Sequence, residues 1–316
     1  MKLLLTGAFQ YTEEQISQIK SLGYEIIYVQ DERKKLDIDV SDIEAVVCNG
    51  LFLYNDIKEF KNLKFIQLTS AGYDRVPMDY IQERGIQIFN AKGVYSVPMA
   101  EWVILKILEI YKKSRKFYEL QKEHKWEKQR DLQELSGKTA AIIGFGDVGS
   151  EVAKRLKAFD VHVIGVGRRI MDSEWLDEYH LINNLDKILP NCDILILTLP
   201  LTDETFNLIN EERINLMKQN CVLINVARGA IIEKKALLNA IYKFLGVALD
   251  VFENEPLENN DILWGLENIV LTPHNSFNSD RVNVKLYDEI RKNLTIFLTY
   301  GSCSNEDIDV ASELLS

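Results

Sequence analysis

The feature that most limits the fold of this chain is a recurrence of short, almost wholly apolar runs separated by amphipathic stretches of helical length. In the second half these runs are Thr139–Gly144, Val161–Val166, Asp193–Leu199, Cys221–Val226, Phe244–Leu249 and Ile269–Thr272. Strands apolar on both faces are those that helices cover from either side, so six in sequence predict a doubly wound parallel sheet of the Rossmann type. The same rhythm opens the chain, with Lys2–Gly7, a helical stretch from Glu13, then Glu25–Val29, Ala45–Cys48 and Phe65–Thr69. A chain of 316 residues exceeds what one core usually holds, so a second, smaller α/β domain is expected there. Helical spacing runs from Pro98 to about Tyr118, and the charged stretch Gln121–Glu134 after it suggests a domain crossing. Beyond Ser279, the residues Tyr287, Ile290, Leu294 and Phe297 share one helical face, and such a terminal helix can fold back on either domain.

Charge removes some partners. The formal net charge of −11 repels nucleic-acid backbones and anionic lipid, so an anionic ligand needs a local cluster of Arg, Lys or backbone N–H groups. The opening MKLLLTGAFQ turns polar quickly, and no apolar run reaches the roughly 18 residues that span a bilayer, so a soluble cytoplasmic chain is expected. Cys48, Cys192, Cys221 and Cys303 lack CxxC spacing and histidine neighbours, which predicts reduced, mostly buried thiols and no metal site.

Gly144-Phe145-Gly146-Asp147-Val148-Gly149 lies directly after the apolar run Ala140–Ile143 and before the helical stretch Glu151–Phe159. Between a strand and a helix these glycines have mechanical uses: a tight turn, approach of the backbone to a pyrophosphate, and close packing of helix on strand. A dinucleotide site is predicted. An acidic residue near the end of the next strand would read the ribose 2′-hydroxyl of NAD. Eighteen residues beyond Gly149 stands Gly167 instead, followed by Arg168 and Arg169. A glycine leaves space and no negative charge, and paired guanidinium groups match a 2′-phosphate, so the cofactor expected is NADP, with NAD possible. Two solvated surface arginines are the alternative.

Three strings place functional side chains just past apolar strands: Asn225-Val226-Ala227-Arg228-Gly229, Asp250-Val-Phe-Glu253-Asn-Glu255-Pro256, and Thr272-Pro-His274-Asn. Ligands bind at the carboxyl ends of strands in open α/β sheets. Arg228 suits a substrate carboxylate, His274 proton exchange with a C2 oxygen, and Glu255 the orientation and charging of the imidazole. Singly each has an ordinary structural explanation, as an ion pair, a turn acid or a histidine after a proline. Together they fit hydride transfer to a carbonyl, in which an imidazolium neutralises the growing negative charge on oxygen.

The GFGDVG loop, NVARGAII, ALDVFENEP and VLTPH resemble the D-isomer-specific 2-hydroxyacid dehydrogenases, and the resemblance runs over nearly the whole chain. It implies an NAD(P)-dependent enzyme acting on a small 2-oxo or 2-hydroxy acid, homodimeric through its interdomain helices, where Trp102 and Ile104 are apolar positions equally well explained as core. It also implies a discontinuous, flavodoxin-like substrate domain, residues 1–97 with 279–316, around a dinucleotide-binding domain, residues 98–278, with a cleft that closes over the substrate. Ser70-Ala71-Gly72-Tyr73-Asp74 resembles the loop whose N–H groups hold the carboxylate, which makes Ala71 and Gly72 substrate residues beside Arg228 and His274. Leu199, Pro200 and Thr205 resemble the loop lining the nicotinamide side, Val226, Ala227, Arg228 and His274 border the cofactor, and Asp250 matches the family's strand-end acid, which either supports the site or contacts the nicotinamide amide. The acid matching the histidine's partner is Glu255, directly before Pro256, and not Glu253. Two departures stand out: Gly167 replaces the usual aspartate, and Leu237–Gly246 is shorter than usual before its strand.

Which 2-oxo acid is taken depends on side chains near Gly50–Tyr54, Ala71–Tyr73 and Tyr95, which one sequence does not place. A dinucleotide-sensing regulatory protein on the same fold is the runner-up, since it can keep the same three residues without relying on turnover.

Overall fold

A computed structural model of the protein describes residues 1–301. Cys303 and the end of the expected substrate segment therefore lie outside the described residues. The chain divides into two compact units, Met1–Tyr95 with Ser279–Ser316, and Ser96–Asn278.

In the first unit β1 (Lys2–Thr6), β2 (Glu25–Val29), β3 (Ala45–Cys48), β4 (Phe65–Leu68) and β5 (Gln87–Phe89) form a parallel sheet in the order β2-β1-β3-β4-β5. That is the flavodoxin-like order. Helix α1 (Glu13–Ser21) starts at a capping box, in which Thr12 accepts from the Gln15 N–H and Gln15 accepts from the Thr12 N–H. Helix α2 (Met78–Glu83) precedes β5. The C-terminal helix Val282–Tyr300 returns to this unit, where Leu286, Tyr287, Ile290, Leu294 and Phe297 pack with Leu3, Leu5 and Phe65. Each fully buried aliphatic side chain contributes roughly 1.5–3 kcal/mol, which decides to which unit this helix belongs.

The second unit begins with α3 (Ser96–Tyr111) and α4 (Ser114–Lys122). The single helix expected over 98–118 is broken, because Lys113 adopts a left-handed backbone with φ 51°. Gln121–Glu134 lies inside this unit, where α4 ends. Then follow β6 (Thr139–Ile143), α5 (Asp147–Lys157), β7 (His162–Gly167), β8 (Glu178–Leu181), α6 (Leu185–Ile188), β9 (Ile194–Leu197), α7 (Glu211–Leu216), β10 (Val222–Asn225), α8 (Lys234–Asn239), β11 (Gly246–Leu249) and β12 (Ile269–Leu271). The sheet is parallel throughout, in the order β12-β11-β10-β9-β6-β7-β8. Its reversal between β6 and β9 is the switch point at which Rossmann sheets bind dinucleotides. Seven strands form where six were expected. The additional one, Glu-Tyr-His-Leu at the sheet edge, is half polar and carries no apolar run. Between α8 and β11 the short segment makes a single 3₁₀ turn, Ile241–Lys243.

Candidate active site

At the switch point Gly144 has φ +94°, and a Cβ there would stand 2.5 Å from the Leu199 backbone, so only glycine lets the loops after β6 and β9 meet. Gly146 caps α5 without a side-chain hydrogen bond, and the space beside its Cα is open. The N–H groups of Asp147, Val148 and Gly149 donate to no described residue. Three unengaged donors at the positive end of an eleven-residue helix, under an uncapped glycine, fit a pyrophosphate. Phe145 is buried beneath this turn. Thr205 is engaged within its own loop, accepting from the Thr202 N–H at 2.7 Å and donating to the Pro200 carbonyl at 2.8 Å, so its part is to shape the Leu199-Pro200 segment.

Gly167 ends β7, and Arg168 and Arg169 follow, both exposed and in no ion pair with a described residue. The expected empty space at 167 is not there. A Cβ at this position would run into the Tyr179 hydroxyl, because the phenol of Tyr179 lies along β7.

Past β10, Asn225 fixes the turn that presents Arg228: its Oδ1 accepts from the Ala227 N–H at 3.0 Å and its Nδ2 donates to the Arg228 carbonyl at 2.9 Å. Val226 and Ala227 are buried within that turn. A Cβ at Gly229 would strike the backbone of Phe252 and Glu253, so this glycine lets the Glu255 loop lie against the Arg228 turn.

His274 donates or accepts through Nδ1 to Glu255 Oε2 at 2.8 Å, and Nε2 has no partner among the described residues. With Glu255 ionised, Nδ1 is the donor and Nε2 faces outward for chemistry. Burial is the largest influence on Glu255 and pushes its carboxyl up. The His274 hydrogen bond, the Phe252 N–H and the charges of His274 and Arg228 together outweigh it and hold Glu255 below the usual carboxylate range. Arg228, Glu255 and His274 therefore act on one another, whereas Glu253 has no part in the pair.

His274 has φ +50°, an uncommon conformation for a residue with a side chain. Asp250 holds it. The Asp250 carbonyl accepts from the His274 N–H at 2.8 Å, and its fully buried carboxylate accepts from the N–H groups of Asn275 at 2.8 Å and Ser276 at 3.0 Å and from the Thr272 hydroxyl. Both carboxylate oxygens are thus turned to the histidine loop, a positioning role that the sequence reading offered only as one of two possibilities.

Ala71 and Gly72 belong to the first unit, in the loop after β4. Their carbonyls accept from Asn90 Nδ2 and Ser70 Oγ at 2.6 and 3.1 Å, and their N–H groups donate to no described residue. Such a loop offers donors to an anion. Cys48, Cys192 and Cys221 are buried, and burial pushes the Cys192 and Cys221 thiols up to about 12, which leaves them unreactive. No described helix is long and apolar enough to cross a membrane.

Comparison with known proteins agrees with this geometry. A glyoxylate reductase of Thermofilum pendens is 34% identical over 257 residues, 77% of this chain and 74% of that protein. A D-3-phosphoglycerate dehydrogenase of Archaeoglobus fulgidus is 33% identical over 280 residues, 87% of this chain, but the chain spans only about half of its length, 53%. Among solved structures, that of a glyoxylate reductase from Paecilomyes thermophila superimposes with a TM-score of 0.84 at 26% identity, over 95% of this chain and 96% of that one. The sequence model described as D-isomer specific 2-hydroxyacid dehydrogenase, NAD binding domain, matches residues 104–276, more than half the chain. With its glycine turn at the switch point and its Arg–Glu–His set past three neighbouring strands, the chain belongs to the D-isomer specific 2-hydroxyacid dehydrogenase family.

Proposed function

We propose that this protein is a nicotinamide-dependent reductase of small 2-oxo acids, glyoxylate among them, that favours NADPH. The observation that carries the reading is the 2.8 Å pair between His274 Nδ1 and Glu255, formed beside Arg228 in the unit that also holds the dinucleotide turn. When bound, the reduced nicotinamide supplies the hydride. Arg228 holds the substrate carboxylate through its two-donor face. His274, protonated and oriented by Glu255, gives its Nε2 proton to the C2 oxygen as negative charge builds there. In the oxidative direction neutral His274 takes that proton back.

The test is nicotinamide absorbance followed with both reduced cofactors across glyoxylate, hydroxypyruvate, pyruvate and branched or aromatic 2-oxo acids. Turnover is expected, highest with the smallest acids. Tight dinucleotide binding without turnover on any of them would sink this reading in favour of a dinucleotide-sensing role. Catalytic efficiency is expected to be about ten- to a hundredfold higher with NADPH, the value of charge-assisted hydrogen bonds from Arg168 or Arg169 to a 2′-phosphate. An equal or higher value with NADH removes the arginine clamp.

A third expected outcome concerns pH. Glu255 is held below its ordinary value, so it stays anionic through the neutral range and favours imidazolium at His274. Glu255→Gln keeps the hydrogen bond and removes the charge, so the upper pH limit of 2-oxo acid reduction is expected to fall by about one unit or more. A pH–rate profile superimposable on wild type would make Glu255 a turn residue only.

Two coarser features complete the reading. Three buried free thiols suit a reducing cytoplasm. We also read the chain as a homodimer. Ile104 is buried in the core, and Trp102 is partly buried against it. Exposed apolar residues near them include Leu105, Phe117 and Tyr118 and, in the following loop, Trp126, which is 97% exposed.

A further inference from the structure

β7 carries two glycines two residues apart, Gly165 and Gly167, whose missing side chains would point to one face of the sheet. Tyr179, opposite Gly165 on β8, shares the first place with Leu176 and fills the second alone. A Cβ at Gly165 would stand 2.8 Å from Tyr179 Cδ2, and one at Gly167 would collide with the phenol oxygen while keeping an ordinary 3.5 Å from Cζ. The ring therefore runs along β7 and delivers its hydroxyl to the place where residue 167 would begin its side chain. Phe145, buried under the pyrophosphate turn, meets it edge to face with centroids 6.2 Å apart, which fixes the ring. The hydroxyl has no hydrogen-bond partner among the described residues. It is not fully enclosed by protein and is therefore open to a ligand.

In this fold the residue at the end of the second strand reads the 2′ position of the adenosine ribose. We propose that Tyr179 reads this position in place of the absent residue-167 side chain, its hydroxyl hydrogen-bonding the 2′-substituent of the cofactor. The proposal rests on the dinucleotide reading of the glycine turn. A carboxylate accepts only, so it welcomes a 2′-hydroxyl and repels a 2′-phosphate; a phenol both donates and accepts, so it serves either. Burial raises the Tyr179 pKa, which keeps the phenol neutral and able to donate. The sign of the charge is then left to Arg168 and Arg169, and the phenol supplies a rigid, neutral contact between them and the strand.

Calorimetric binding of 2′,5′-ADP, 5′-AMP, NADPH and NADH tests this without turnover. Tyr179→Phe, which keeps the ring over both glycines, is expected to weaken 2′,5′-ADP and NADPH about tenfold, to weaken NADH and 5′-AMP less, and to leave the unliganded melting temperature near wild type. Gly167→Ala keeps the hydroxyl but pushes it aside, so it should show a similar loss; added to Tyr179→Phe it should do nothing more, since the new methyl then meets only ring carbon. Unchanged affinity for 2′,5′-ADP in either single variant overturns the proposal, and the Gly167→Ala arm stands alone if the phenylalanine variant fails to fold. If the wild-type protein binds neither NADPH nor NADH, the dinucleotide reading falls, and this proposal with it.

Discussion

Replacing His274 with alanine is expected to lower turnover about 10²–10⁴-fold while dinucleotide affinity stays nearly unchanged. The asymmetry follows from where the two jobs sit. On the proposed function, dinucleotide contacts would come from the N–H groups of Asp147, Val148 and Gly149 at the start of α5, and no bond in that turn passes through His274. In the proposed reaction the proton would come from His274 Nε2, and its neighbours are not placed to replace it: Glu255 faces Nδ1, and Asp250 has both carboxylate oxygens turned to the loop backbone and Thr272. The loop should survive the change, because the His274 N–H bond to the Asp250 carbonyl is made by backbone. Rates are to be measured under saturating cofactor, with dinucleotide binding followed separately. Near-normal turnover would remove His274 from the mechanism; a parallel loss of dinucleotide affinity would mean that its ring holds the cofactor.

Much of this fold was open to a reader of the sequence, for a physical reason. A strand buried on both faces must be apolar throughout, so Ala45–Cys48, Ile194–Leu197 and Val222–Asn225 stand out from their flanks. Edge strands lack that constraint. Glu178–Leu181 buries none of its four residues fully, and Gln87–Phe89 is only three residues long, so both escaped notice. The break at Lys113 was equally hidden, since apolar spacing continues across it and no glycine or proline marks it.

The site was legible where a residue type has few other uses. A histidine after a strand, an arginine after Asn-Val-Ala and an acid before proline are chemical groups at strand ends, and the structure puts Glu255 and His274 2.8 Å apart. Distances are not written in the sequence, so the two roles that depend on them were blurred. Asp250 could be read as a cofactor contact or a support until its carboxylate was seen to accept from Asn275 and Ser276. Gly167 reads as a gap in the sequence because the residue filling it lies twelve positions away, on a half-polar edge strand with no apolar run to mark it. The one signal available was the alternation Gly165-Val-Gly167, an unusual pair of glycines inside a strand, where they often mark close approach of another group.

Arg228→Lys is expected to raise KM for the 2-oxo acid about ten- to a hundredfold while the pH–rate profile keeps its shape. The planar guanidinium offers two parallel donors to a carboxylate, and a lysine offers a point charge on a flexible stem. Losing one charge-assisted hydrogen bond is worth roughly 1.5–3 kcal/mol, or about one to two decades of affinity. The Arg228 turn itself should persist, because Asn225 grips it through the backbone, donating to the 228 carbonyl and accepting from the Ala227 N–H. The bond from Nη1 to the Ala227 carbonyl, 2.8 Å, orients the guanidinium and is lost, which adds to the rise in KM. Charge is conserved, and it is the charge of Arg228 that helps to hold Glu255 below the ordinary carboxylate range, so the Glu255–His274 pair should titrate much as before. Arg228→Gln separates the two contributions, since it removes the charge as well and should also let Glu255 rise, narrowing the profile on its acid side. An unchanged KM in the lysine variant would mean that the carboxylate is held elsewhere; a lysine variant whose pH profile moved as far as that of glutamine would mean that geometry, and not charge, couples Arg228 to Glu255.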